Sequence, residues 1–126
     1  MEVELMEKCS LSERKNLARD VVHILKLKVD KELMKKRIKI KKEIIKEINT
    51  KDISITVDEK WGRIDIEYKG IELEEFIKTE THKRSLKYTL KAEELKEQLE
   101  VEYAKWLEDL IAGKVKSFKP KIAIKL

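Results

Sequence analysis

Cysteine, proline and long apolar runs are nearly missing from this chain, and each shortage excludes a class of protein. The single cysteine, Cys9, has no partner for an internal disulfide, so a disulfide framework of the secreted kind is excluded. No apolar run approaches the roughly 20 residues that span a bilayer, and residues 1–9 lack the pattern of a signal peptide. The only proline, Pro120, marks no linker. We therefore expect one cytoplasmic domain spanning residues 1–126.

Glycine and histidine are scarce as well, which limits the chemistry that the chain can perform. Gly62, Gly70 and Gly113 are isolated, so neither glycine-rich phosphate-binding motif is present. His23 and His82 stand far apart and, with a lone cysteine, give no zinc-binding spacing. The sequence therefore predicts neither a bound cofactor nor a resident metal ion.

Charge is what the chain has in abundance. Charged residues make up 44% of it, and the 25 lysines, 15 isoleucines, two asparagines and one glutamine show the bias of heat-adapted proteins. Residues 1–51 hold 15 basic and 9 acidic side chains, residues 52–80 hold 4 and 9, and residues 81–126 hold 11 and 7. Lysine is most concentrated in residues 31–42 and in the tail 113–126, which predicts a polyanionic partner.

Two helical patterns precede residue 50. Ser10 and Glu13 form a capping box at the start of a first helix. Apolar and lysine residues then alternate over residues 25–29, a pattern typical of a strand or of a helix end entering a bend. Asp30 is a candidate N-cap for a second helical stretch, and whether residues 31–49 form one helix or two stays open. Its predicted stripe consists of Leu33, Met34, Ile38, Lys41, Ile45 and Ile48.

The strongest helical pattern lies in the last third of the chain. Residues 91–112 predict a long helix that ends at a Gly113 cap. Its apolar positions are Ala92, Leu95, Leu99, Tyr103, Trp106 and Leu110. Before this helix, residues 73–77 predict a short helical segment and residues 79–85 a loop. Residues 86–90 fit either a third strand or the start of the helix.

A β-hairpin lies at the centre of the sequence. Residues 53–57 and 64–68 alternate apolar with polar side chains, and residues 58–62 form a loop of hairpin length. An isolated hairpin is marginal in water, so the apolar face needs helices or further strands, for which Val3 with Leu5 and the end of the tail 113–126 are candidates. We therefore predict an α+β fold with helices packed on one face of a small antiparallel sheet centred on Ile53 to Tyr68, followed by a long C-terminal helix.

Acidic side chains gather on the polar face of this hairpin. If the hairpin closes symmetrically, Asp52 lies across from the end of the second strand, where Asp65, Glu67 and Lys69 follow at every second residue. The arrangement resembles the restriction-endonuclease-like nucleases, although Lys51 stands where a proline commonly precedes the Asp. That resemblance implies a catalytic Mg²⁺ or Mn²⁺ held by the carboxylates, with the lysine helping to activate water.

The order of the predicted elements from Leu11 to Tyr68 gives a second resemblance. Helices, a lysine-rich helical stretch and a hairpin follow one another as in winged helix-turn-helix domains, which implies a recognition helix and a wing that touches the DNA backbone. Lysines dominate over arginines, which favours salt-sensitive binding with little sequence selectivity. The predicted contact residues are Lys35, Lys36, Arg37, Lys39, Lys41, Lys42, Lys60, Trp61 and Arg63.

The sequence thus supports three functional hypotheses. Non-catalytic binding to DNA or RNA is preferred, and the metal-dependent nuclease is the first alternative. The second alternative is a structural or protein-interaction module, which would form a homodimer through the apolar stripe of the C-terminal helix. The residues of that dimer contact would be Leu95, Leu99, Trp106 and Leu110.

Overall fold

The computed structural model describes residues 10–115 and 117–126. A small antiparallel sheet with the strand order β1-β2-β3 lies between two long helices in the sequence, so the predicted α+β fold, with helices packed against a sheet centred on a β-hairpin, is confirmed. No helix in this part of the chain has the apolar length that crossing a bilayer requires. The elements are α1 (Leu11–Glu47), a 3-10 turn (Thr50–Asp52), β1 (Ile53–Asp58), β2 (Arg63–Tyr68), β3 (Ile71–Glu72) and α2 (Leu73–Ile111).

Helix α1 begins at the predicted capping box and continues without a break for 37 residues. The backbone N–H of Glu13 donates to Ser10 Oγ at 3.2 Å, and the N–H of Ser10 donates to Glu13 Oε2 at 3.3 Å. The prediction of two helices before the hairpin is wrong, because α1 contains neither proline nor glycine to interrupt it. Asp30 caps no helix; its carboxylate forms an ion pair with Lys96.

Helix α2 also replaces several predicted elements with one. It runs through the predicted loop 79–85 and the candidate strand 86–90, and it ends at Ile111. Gly113 forms the predicted cap: it has a φ of 73°, which favours glycine, and its N–H donates to the carbonyl of Leu110 at 3.1 Å.

The hairpin closes symmetrically, as predicted. Ile53 pairs with Tyr68 and Asp58 pairs with Arg63, in an unbroken antiparallel register. The third strand comes from β3 and not from the tail, since residues 122–126 form no strand and Val3 and Leu5 lie outside the described residues. A two-residue turn of Lys69 and Gly70 joins β2 to β3, and both residues have positive φ (51° and 83°), as tight hairpin turns require.

The chain divides into two units, and the first consists of residues 1–33 and 89–126. Its core is aromatic: Trp106 and Phe118 meet with ring centroids 5.4 Å apart, and Trp106 Nε1 donates to the carbonyl of Ser117 at 2.9 Å. The homodimer contact predicted on the C-terminal helix is wrong, because its four side chains are buried in the core of this unit, with exposed fractions of 0% to 7%. They are Leu95, Leu99, Trp106 and Leu110.

The second unit consists of residues 34–88 and has a smaller core. Ile40, Ile44 and Tyr68 are buried, and Tyr68 packs on Phe76 with ring centroids 4.7 Å apart. The apolar face of the sheet is therefore covered only at its base. Further along the strands the apolar side chains are 39% to 65% exposed, namely Ile55, Val57, Ile64 and Ile66.

Candidate nucleic-acid interface

A row of lysines runs along one side of α1 in the second unit. Its members follow at spacings of four, three and four residues, which places them within about 60° of one another around the helix axis. They lie on the opposite side of the helix from the buried Ile40 and Ile44, and all of them are exposed. We name this set the lysine face, and it consists of Lys35, Lys39, Lys42 and Lys46.

Three of the four members of the lysine face have no ion-pair partner among the described residues. Lys39, Lys42 and Lys46 form no ion pair with any residue in the described part of the chain. Glu47, the acid that follows Lys46, is engaged elsewhere: it accepts a hydrogen bond from Arg84 Nη2 at 2.7 Å. This hydrogen bond lowers the pKa of Glu47 and raises the pKa of Arg84. Lys39, Lys42 and Lys46 therefore carry positive charge that no ion pair among the described residues neutralises.

The six residues of α1 that were predicted to contact nucleic acid lie in three different environments. Lys35, Lys39 and Lys42 belong to the lysine face. Its fourth member, Lys46, lies outside residues 31–42, where lysine is concentrated in the sequence. Lys36 is half-buried, with Nζ 5.2 Å from the ring centroid of Tyr88. The remaining two residues lie on the other side of α1, and they are Arg37 and Lys41.

Arg37 and Lys41 line an open groove of about 670 Å³ within the second unit. The charges around this groove are mixed, since glutamates at positions 74 and 75 lie among its basic side chains. Two of its three hydroxyl groups bind the backbone of their own helix: Thr81 Oγ1 donates to the carbonyl of Ile77 at 2.6 Å, and Ser85 Oγ donates to that of His82 at 3.2 Å. The groove thus offers no clear preference for an anionic ligand.

The tip of the hairpin presents a tryptophan to solvent. Trp61 is 76% exposed, and Lys60 Nζ lies 5.6 Å from its ring centroid. The turn is held by a hydrogen bond from the N–H of Lys60 to Asp58 Oδ1 at 3.1 Å. Arg63, the third predicted contact at the tip, pairs with Asp65 at 2.9 Å, so its charge is shared within the strand.

The carboxylates of the nuclease hypothesis are only partly brought together. Glu67 lies opposite Ser54 and Asp65 opposite Thr56, so these two acids share the polar face. Asp52 belongs to the 3-10 turn and Lys69 to the tight turn, so the alternation does not extend to them, although the N–H of Lys69 donates to the carbonyl of Asp52 at 3.2 Å. Residues 10–115 and 117–126 contain no group of three His, Cys, Asp or Glu side chains that is arranged to hold a metal ion.

The order of elements no longer resembles a winged helix-turn-helix domain, because one continuous helix, and not a helix-turn-helix, precedes the hairpin. Comparison with protein-family models, with curated proteins and with solved structures gives no match for this chain.

Proposed function

We propose that this protein binds nucleic acid without catalysing a reaction on it, and that the lysine face carries the contact. The supporting observation is the gathering of four exposed lysines on one side of α1, three of them without a carboxylate partner among the described residues. Four lysines gathered on one side of a helix attract a polyanion more strongly than the same charges spread around it.

The dimensions of the lysine face suit a phosphate backbone. Lys35 and Lys46 are 11 residues apart, which corresponds to about 17 Å along the helix. B-DNA carries one negative charge per roughly 1.7 Å of its axis, so phosphates are available to every lysine over this length. Ammonium groups act as point charges without the bidentate geometry of arginine, so the contacts position the nucleic acid without reading its sequence.

Trp61 supplies a second kind of contact. Its indole ring is exposed at the hairpin tip, and an exposed ring next to a lysine is suited to stacking on an unpaired base. Stacking of this kind contributes about 1–3 kcal/mol per base. We therefore expect Trp61 to add to the binding of single strands and to contribute little to the binding of duplexes.

The test is a binding and cleavage assay with labelled single-stranded DNA, duplex DNA and RNA of one sequence, with and without Mn²⁺. The variant Lys39→Gln/Lys42→Gln/Lys46→Gln should weaken binding by at least about tenfold, or about 1.4 kcal/mol. A matched control removes the same charge from an exposed side of α2 and should bind like the parent. The control substitutions are Lys83→Gln, Lys87→Gln and Lys91→Gln.

Two results would contradict the proposal. Equal losses in both triple variants would mean that net charge matters and the lysine face does not. Cleavage that depends on Mn²⁺ and disappears in Asp52→Ala or Glu67→Ala would replace non-catalytic binding by nuclease activity.

A further inference from the structure

Strand β1 lies at an edge of the sheet, with no strand beside its outer side among the described residues. The N–H of Lys69 donates to the carbonyl of Asp52 at 3.2 Å, which makes these two residues a hydrogen-bonded pair at the end of the β1–β2 ladder. Such pairs alternate along an antiparallel ladder, so every second residue of β1 directs its N–H and C=O groups away from β2. These residues are Ile53, Ile55 and Val57.

Two of these three residues have free backbone groups. The N–H of Ile53 is already used, because it donates to the carbonyl of Thr50. The outward N–H and C=O groups of Ile55 and Val57 form no hydrogen bond with any residue in the described part of the chain. Both residues are well exposed, at 65% and 59%. The edge therefore offers two donors and two acceptors at the spacing of a strand.

The sequence of β1 lacks the features that keep edge strands from pairing. Such strands are usually protected by lysines, prolines or bulges. The register of β1 with β2 is unbroken, and residues 53–57 contain no charged side chain, no proline and no glycine. In a chain of which 44% is charged, only one other stretch of five residues, 21–25, is free of Asp, Glu, Lys and Arg. This edge is therefore suited to receive another strand.

The free groups select one register in which β1 can pair with its own copy. A twofold axis between the two Thr56 residues sets Ile55 of each copy opposite Val57 of the other, and their outward groups then form four hydrogen bonds. A shift of two residues one way would require the N–H of Ile53, which is already used. A shift the other way would set Ile55 opposite Glu59. We propose that two copies of this chain form a dimer by antiparallel pairing of their β1 strands in this register.

The polar side chains fit this register. Thr56 meets Thr56 of the second copy, and Ser54 meets Asp58, so no charge on β1 lies opposite a like charge. The acids Asp65 and Glu67 lie one strand back, on β2. They are at least two strand spacings, or about 10 Å, from the carboxylate on β1 of the second copy, which is the distance over which 0.1 M salt screens charges.

Pairing would also support the outer half of the hairpin. Strand β3 pairs only with Glu67 and Tyr68, so residues 63–66 and the part of β1 opposite them form a two-stranded ribbon, which is marginal in water. In the dimer this part of the sheet has four strands, and its exposed apolar side chains gain neighbours across the joint. Every residue that the contact uses lies in the second unit. The contact is small, so the dimer should be weak and dependent on concentration.

The first test is sedimentation velocity on the full-length protein, freed of nucleic acid, at concentrations up to about 1 mM. The parent should convert from monomer to dimer and grow no further. Val57→Pro removes an outward N–H from the β1 edge and should weaken dimerisation by at least about tenfold. Ile64→Pro is the matched control, because Ile64 lies opposite Val57 and directs its N–H to the other edge of the hairpin. It should dimerise like the parent.

The second test determines the register with cysteines in a Cys9→Ser background. Thr56→Cys should form a disulfide-linked dimer on mild oxidation, because the two copies of this residue form a non-hydrogen-bonded pair with Cα atoms about 4.5 Å apart. Ser54→Cys, exposed on the same face, is the control. It should not crosslink, since its copy lies opposite Asp58, four residues or about 13 Å along the strand.

A parent that stays monomeric at every concentration would overturn the proposal and leave the edge to an extended segment of another protein. Growth past the dimer, equal effects of Val57→Pro and Ile64→Pro, or a Thr56→Cys protein that crosslinks no better than Ser54→Cys would each overturn it as well. Because nucleic acid is absent from these experiments, their failure leaves the proposed nucleic-acid binding to its own test.

Discussion

Of the fourteen buried apolar side chains among residues 10–115 and 117–126, eleven belong to the first unit and three to the second. The first unit buries an aromatic cluster and tethers the tail through Phe118, which is 2% exposed. The second unit leaves most of its sheet and the lysine face open to solvent. We infer that the first unit provides most of the stability and that the second mainly presents surfaces for contact.

The largest expected effect comes from placing a charge in the core of the first unit. Leu99 is fully buried and Val101, two residues later on α2, is 66% exposed. Leu99→Asp should cost at least about 4 kcal/mol and unfold the protein, because the buried carboxylate has no partner. Val101→Asp should change stability by less than about 0.5 kcal/mol. Circular dichroism at low protein concentration measures the stability of both variants. If Leu99→Asp were a folded monomer, Leu99 would not belong to the core, and the hypothesis of a dimer contact through the C-terminal helix would hold again.

The two tryptophans give a smaller and matched comparison of the units. Trp106→Ala removes a buried ring and the hydrogen bond to Ser117, and it should lower the free energy of unfolding by about 3–5 kcal/mol. Trp61→Ala should change it by less than about 0.5 kcal/mol, because the ring is exposed. Denaturant unfolding of both variants checks this, and similar losses would mean that the hairpin tip is part of a core.

The smallest effect concerns the Glu47–Arg84 pair in the second unit. The pKa of Glu47 in the folded protein is lowered below its ordinary value of 4.5, first by the hydrogen bond from Arg84. The stabilisation is therefore present above pH 4.5 and is lost as the pH falls through the lowered value. Both side chains are exposed, so the contribution is small and falls with salt.

Glu47→Gln should consequently be slightly less stable than the parent at neutral pH and equally stable well below pH 4.5. Urea midpoints at the two pH values measure the difference. Glu59→Gln, in the exposed hairpin turn, serves as the control and should match the parent at both. A gap between Glu47→Gln and the parent that widens on acidification would show that the pair does not act as described.

Features set by a few neighbouring residues were predictable from the sequence. The capping box of Ser10 and Glu13, the register of the hairpin and the Gly113 cap each depend on contacts within a few positions. The loop predicted at residues 79–85 failed because Thr81 and Ser85 turn their hydroxyls onto the backbone of α2, so they do not compete with the helix.

The sequence did not reveal that α1 is one continuous helix, because apolar side chains lie on two sides of it. The alternation over residues 25–29 mixes a buried position, Val29, with Leu27, which is 53% exposed, and so imitates a strand. For the same reason the sequence assigned Met34, Ile38 and Ile45 to the core, although they are 61%, 52% and 50% exposed. In the candidate site, the position of Lys36 over Tyr88 depends on a contact between helices that periodicity cannot supply.

The most direct test of the lysine face is the salt dependence of binding to duplex DNA. Each lysine that neutralises a phosphate adds about 0.9 to the slope of log affinity against log salt concentration. The Lys39→Gln/Lys42→Gln/Lys46→Gln variant should therefore have a slope shallower by about 2.7 than the parent, while the Lys83→Gln/Lys87→Gln/Lys91→Gln control keeps the parent slope. Identical slopes in all three proteins would mean that the lysines of the lysine face do not contact the phosphates of the DNA.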